Sequence, residues 1–479
     1  MIPIEKNPTV NNSKNQAQIE IVRIAPKNQG VDIEFKCNGG YPPYIKLVIC
    51  NLETGDIIHE CDCFSTNRIF SVNKLLNDVD YTAEVVACDY DNNELCRSGK
   101  RLFQTGFFPG HVINYIHPAD LTYSESGRFL GSPNILRLEN GTYIASHDIF
   151  DVTGHGSLCL IFVSKDYGKT WNYLSKIDRC TWGNLFRTGD KIYMFGVSDA
   201  ANGDLVIYSS DDDCTSWSEP TILFKHQKDF SLRCSPTAFA EFNGRLWFYF
   251  NNLCSSDKAG FQTAVASVPT DSDYMNVKNW TFTPFLKFNS SWENIDGEAW
   301  GPCMLEEGNM LINRDNELIM LLRYNSHRYD IPESDPTKIK AVILKVDTDN
   351  PSAPLKFKKA IPFNGTFSKF YIRYDEESDL YYALLNRMTT NKIWQRNVLS
   401  LYSSCDLESW KVERDLINLE DLEWYESNWE SGVQYPTWFI DGNDIIAAVR
   451  TAMNNADTFH NANAITYHRF KNFREMYRF

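Results

Sequence analysis

The stretch Val163-Ser164-Lys165-Asp166-Tyr167-Gly168-Lys169-Thr170-Trp171 constrains the fold of this chain more than any other. Before it, Leu158-Cys159-Leu160-Ile161-Phe162-Val163 is an apolar run that reads as a buried strand. In the turn that follows, Asp166 can accept bonds from backbone N–H groups and Gly168 can take a positive φ. Trp171 then opens the next strand with a large apolar body that can wedge between sheets. The same frame returns in Ile207-Tyr208-Ser209-Ser210-Asp211-Asp212-Asp213-Cys214-Thr215-Ser216-Trp217, where Cys214 replaces the glycine. A copy one residue shorter is Leu401-Tyr402-Ser403-Ser404-Cys405-Asp406-Leu407-Glu408-Ser409-Trp410. Strand, Ser/Asp turn and tryptophan, recurring along the chain, predict repeated sheets arranged as blades.

At 479 residues the chain is too long for one small core. Residues 1–16 are polar and read as a disordered lead-in. Residues 17–105 hold short alternating strands, among them Val31-Asp32-Ile33-Glu34-Phe35 and Ile45-Lys46-Leu47-Val48-Ile49, and predict a small β-sandwich. Gly106-Phe107-Phe108-Pro109-Gly110 reads as a hinge, and residues 106–479 carry the blade-like units. Asn140-Gly141, Asn243-Gly244 and Asp441-Gly442, set between apolar strands, are hairpin signals, and Asp315-Asn316 stands in the same position of another unit. With units opening near Leu185 and Phe370, the expected architecture is all-β: a six-bladed propeller after a sandwich. It becomes seven-bladed if Val112–His117 belongs to another sheet instead of closing the ring.

A net charge of −15 and the absence of a long Lys/Arg run argue against a nucleic-acid partner. No apolar run approaches the length of a membrane span. The metal, nucleotide and serine-hydrolase motifs are missing, so neither metal nor cofactor is expected. Thirteen cysteines, several inside strand patterns (Cys50, Cys159, Cys303), suggest buried free thiols in a reducing compartment. The first residues contain no apolar leader. The expectation is a cytoplasmic protein, or a secreted one from which a leader has been removed.

From about Pro109 onward the chain resembles the sialidase (neuraminidase, BNR-repeat) superfamily, whose Asp box matches Ser164–Trp171. Leu75–Val85 is weakly similar to fibronectin type III modules and Gly39–Tyr44 to immunoglobulin-like ones. The superfamily resemblance implies a Tyr nucleophile paired with a Glu, an Asp acid, and arginines that clamp a carboxylate. Glu307 and Arg323 match the Glu and one clamp Arg in the fourth unit, and Tyr435 in Gln434-Tyr435-Pro436-Thr437 matches the nucleophile. The sequence departs from the family in the first unit, where Leu130-Gly131-Ser132-Pro133-Asn134 lacks the arginine of the Arg-Ile-Pro motif. A classical sialidase is therefore not expected.

His147-Asp148, at the end of an inner hairpin, reads as an acid/base with its orienter. The structural alternative is an Asp148 that caps a turn and a His147 that bonds a carbonyl. Arg233, Asn309, Arg373, Tyr374 and His460 are further candidates for substrate binding, and Trp292–Trp300 mixes aromatics and carboxylates as sugar subsites do. Together these point to a glycoside hydrolase acting on a glycan with an acidic or deoxy sugar. A uronate lyase using His147 and Tyr435, and a non-catalytic glycan-binding propeller, remain alternatives.

Overall fold

The computed structural model describes residues 18–475 apart from 40–41, 65, 152–155, 229, 255–259, 290–291, 293–303, 326–338, 393 and 423–426. The lead-in expected over residues 1–16 and most of the Trp292–Trp300 loop lie outside the described residues. No helix among the described residues is long and apolar enough to cross a membrane.

The N-terminal strands form two sheets. One is three-stranded (Gln18–Lys27, Gly30–Asn38, Ile69–Asn73) and the other five-stranded (Tyr44–Asn51, Ile57–Phe64, Asp80–Cys88, Glu94–Arg97, Arg101–Gln104). Ile33, Phe35, Ile45, Leu47 and Val85, each the inward residue of an alternating strand, share one core. This module is fastened to the rest of the chain by buried polar contacts. Arg23 donates to the carbonyls of Ile113 and Val112 at 2.6 and 3.1 Å, and Arg101 pairs with Asp120 at 2.6 Å. The Glu34 carboxylate accepts from the Tyr173 N–H at 2.8 Å.

Beyond it, six antiparallel sheets follow one another among the described residues. Each runs from an inner strand outward, the first through Phe129–Arg137, Tyr143–Phe150, Leu158–Ser164 and Asn172–Ile177. The sixth takes Gly432–Asp441, Asp444–Ala452 and Ala464–Phe470 from the C-terminal end of the chain. Its outermost strand is His111–Tyr115, from the start of the ring, so this segment closes the ring. Pairing the two ends of the ring in one sheet leaves neither as an open edge.

The Ser–Asp turns have one geometry. In the first, the Asp166 carboxylate accepts from Thr170 N and Thr170 Oγ1 at 2.9 and 2.6 Å, while Ser164 Oγ accepts from Gly168 N at 2.9 Å. Asp212 and Asp406 do the same in the other copies, and Cys214 and Leu407 accept positive φ values of 69° and 64° where the first copy has glycine. Gly168 is needed for a second reason: a Cβ there would meet the Tyr467 ring at 2.1 Å. Trp171, 1 % exposed, fills the space between the first and sixth sheets. Asp166→Ala is expected to cost about 1–3 kcal/mol in urea denaturation, because a carboxylate that accepts from Ser164 Oγ, Thr170 N and Thr170 Oγ1 is removed. An unchanged midpoint would contradict that role.

Inner strands share a second irregularity that positions the site. The register with the second strand slips between Gly131 and Asn134, Thr181 and Asn184, Glu306 and Asn309, and Gln434 and Thr437. At these bulges Ser132, Trp182, Glu307 and Tyr435 take φ values of 47°, 52°, 56° and 55°, a conformation that non-glycine residues adopt at a cost.

Candidate active site

The bulges aim their side chains into one cleft of about 480 Å³ at the end of the ring where the inner strands begin. Ser132, Trp182, Glu307 and Tyr435 all line it, with Asp148, Arg233, Glu306, Arg323, Arg396, Arg450 and His460. A volume of this order holds a small ligand.

Arg323 is its organising cation. It is 3 % exposed, and its Nη1 lies 3.0 Å from Glu307 Oε2, 3.2 Å from Glu306 Oε1 and 3.3 Å from the Tyr435 hydroxyl. Burial pushes the Glu306 carboxyl up to about 7, Arg323 pulling it back and the neighbouring Glu307 charge adding to the rise. Burial and then Glu307 also hold the Tyr435 hydroxyl well above the usual phenol value, against the pull of Arg323. Lys369, fully buried, donates to the Pro436 carbonyl at 2.9 Å and so braces the Tyr435 bulge; burial lowers its ammonium to about 7.

Asp148 faces the cleft from the first sheet. Its Oδ2 accepts from Thr181 Oγ1 and Trp182 N at 2.8 and 2.7 Å, whereas Oδ1 is buried with no partner. Gly131 makes room for it, since a Cβ there would stand 2.6 Å from Asp148 Oδ1. Arg450 stacks over the rings of Phe150 and Tyr435 at 4.6 and 5.2 Å and donates to the His460 carbonyl. Its Nε is unpartnered. Arg396 lies over Phe459 at 5.8 Å. His460 opens onto the cleft; its enclosure, and next the Arg450 cation, lower its proton affinity.

Several expected residues stand elsewhere. His147, 1 % exposed, points behind the first sheet, where its Nε2 pairs with Asn114 Nδ2 at 3.1 Å and its ring stacks on Phe162. Its Nδ1 meets the Asp148 carbonyl at 3.1 Å, and burial lowers its pKa to about 4, so it is a neutral packing residue. The expected pairing of His147 with Asp148 as acid/base and orienter is thereby corrected, because adjacent strand residues face opposite sides.

Asn309 is corrected too. It is fully buried and ties three sheets together, accepting from Ala238 N and Ile372 N and donating to the Phe370 carbonyl. Arg373 and Tyr374 sit on the far end of the fifth inner strand and do not line the cleft. Arg373 donates to the Trp438 carbonyl, and Tyr374 is 42 % exposed beside Asp379. Glu306, Arg396, Arg450 and Trp182 were not singled out by sequence reasoning. Arg450 had a findable signal: it pairs with Gln434 as Arg323 pairs with Glu306 and Asp148 with Gly131, the same position in three sheets.

No protein-family model matches the sequence, and no curated protein is similar enough to match it. Similar solved structures include an α-L-arabinanase of Penicillium chrysogenum (14% identity, 71% of this chain and 93% of that one, TM-score 0.44). The Hadza microbial sialidase Hz136 shares 10% identity over 96% of this chain and 94% of its own, with a TM-score of 0.47. The Trypanosoma rangeli sialidase shares 13% identity over 72% and 55%, with a TM-score of 0.48. In fold, the chain is an all-β propeller of six antiparallel sheets with a two-sheet module ahead of the ring.

Proposed function

We propose that the protein is a glycoside hydrolase that releases an anionic sugar from a glycan. The observation that carries this reading is the convergence of Glu307 and the Tyr435 hydroxyl on Arg323 Nη1, at 3.0 and 3.3 Å. In the reaction, the Tyr435 oxygen attacks the anomeric carbon as its proton passes to Glu307. Asp148 passes a proton to the departing glycosidic oxygen. Water, deprotonated by the Asp148 carboxylate, then displaces Tyr435 from the same carbon while Glu307 returns the tyrosine proton, so configuration is retained. A phenol that is neutral until it attacks approaches an anionic sugar without the repulsion a carboxylate nucleophile would meet. Arg450, stacked over the tyrosine ring, and Arg396, which also lines the cleft, supply the counter-charge, and Arg450 stands in for the arginine missing from the first sheet.

The lyase alternative loses support because His147 faces away from the cleft. A glycan panel tests the reading through two signals, released reducing sugar and the ultraviolet absorbance of an unsaturated uronide. Reducing sugar without absorbance is expected from glycans that end in a carboxylate-bearing sugar. Growth of absorbance would replace hydrolysis by elimination, and silence in both would leave a binding propeller.

A further inference from the structure

Hydrolysis as proposed leaves one cation of the cleft without a task. Arg233 ends the first inner segment of the third sheet, opposite the sixth sheet and its Tyr435 in a ring of six. Its guanidinium lies 4.8 Å from the centre of the Trp182 ring and 5.5 Å from that of Phe261. The two rings fix the cation's position while leaving the rest of the guanidinium edge open. No carboxylate stands within ion-pair distance of it among the described residues, and its buried Nε has no hydrogen-bond partner. The nearby Glu306 carboxylate is engaged by Arg323 at 3.2 Å.

Beside Arg233, directly across the strand pair, is Asn251, 2 % exposed and also lining the cleft. Its Nδ2 is buried without a partner. Asn251, like Asp148, Arg323 and Arg450, stands on the second strand of its sheet and lines the cleft. Two adjacent side chains thus carry unsatisfied donors, one of them cationic. Burying such groups is unfavourable unless an acceptor arrives.

We infer that Arg233 and Asn251 form a second anion subsite of the cleft, which takes a carboxylate or sulfate group of the glycan other than the one drawn to Arg396 and Arg450. The inference rests on the proposed function in that the cleft receives a glycan, and it narrows the substrate class to one bearing two anionic groups. Arginine suits the task because its planar fork meets two oxygens at once while its face stays stacked.

Direct anion binding by the full-length chain tests this without any turnover. Crystals soaked in selenate, a sulfate analogue that scatters anomalously, are expected to show selenium within hydrogen-bonding distance of Arg233 and Asn251. That peak should vanish in Arg233→Met while selenate beside Arg450 persists. Titration calorimetry with selenate and with D-glucuronate, at constant ionic strength, separates the sulfate and carboxylate cases. Loss of about tenfold or more in affinity for either anion at one of two sites is expected in Arg233→Met. Should that variant fail to fold, Arg233→Lys keeps the charge, loses the fork, and is expected to weaken the same site. Selenate found only on the Arg450 side, or affinities for both anions unchanged by the Arg233 variants, would overturn the subsite. A glycan panel silent in both signals, with selenate bound at Arg233, would overturn the hydrolase and leave the subsite standing.

Discussion

Tyr435→Phe is expected to lower kcat by at least about 10³-fold on whichever glycan the protein hydrolyses, with little change in KM. The substitution removes one oxygen and keeps the ring, which is what Arg450 stacks on at 5.2 Å. Backbone strain at the bulge, φ 55°, is the same for either aromatic residue. Lys369 holds that bulge through the Pro436 carbonyl, a contact the variant retains. Arg323 loses one neutral acceptor but keeps both carboxylates, so the folding free energy should change by no more than about 1–1.5 kcal/mol. Thermal melting together with kcat and KM separates the outcomes. A variant that melts normally and turns over at a wild-type rate would remove Tyr435 from the chemistry, and Glu306, already pushed up to about 7, would become the first group to test as the acid.

How much of this could be read beforehand depends on whether the signal is local. Asn140-Gly141 and Asp441-Gly442 mark hairpins because turn chemistry is decided within four residues, and those hairpins are where the sequence put them. Ser164, Asp166 and Trp171 form one turn for the same reason. The cleft is different, since it gathers residues from five sheets and no spacing links them. His147 and Asp148 show the limit clearly: alternation says that one faces the cleft, but not which. Arg373 and Tyr374 lie on the expected strand but at its far end, four and five residues past Lys369, which braces the cleft side. A repeated triplet was nevertheless present: Ser132-Pro133-Asn134, Trp182-Gly183-Asn184, Ser235-Pro236-Thr237, Glu307-Gly308-Asn309 and Tyr435-Pro436-Thr437. Its first residue lines the cleft in each, and the asparagines of the first, second and fourth tie the sheet to its neighbour. Asn309 looks like a ligand in the sequence because its part in that repeat is visible only when the sheets are set side by side.

Arg323→Met should destabilise the fold by about 3–5 kcal/mol near neutral pH, more than the loss of its own packing explains. The methionine fills most of the volume, but Glu306 and Glu307 are left facing each other in a buried site where, among the described residues, no other cation stands as close as Arg323 does at 3.2 and 3.0 Å. The pH dependence tells this apart from a packing defect. Burial already raises the folded-state Glu306 carboxyl from its ordinary 4.5 to about 7, so the native protein binds a proton there that the unfolded chain has released. That contribution to stability is full below about 4.5 and is lost as pH rises toward 7. Removing Arg323 takes away the charge that lowers Glu306, so the loss extends to higher pH and becomes steeper. Urea denaturation of the two proteins at a series of pH values is therefore expected to show a gap that narrows below about pH 5 and widens above 7. A gap independent of pH would mean that Arg323 acts through packing alone. It would also weaken the hydrolase, because a cation that does not feel Glu306 and Glu307 could not be the group on which Glu307 and the Tyr435 hydroxyl converge.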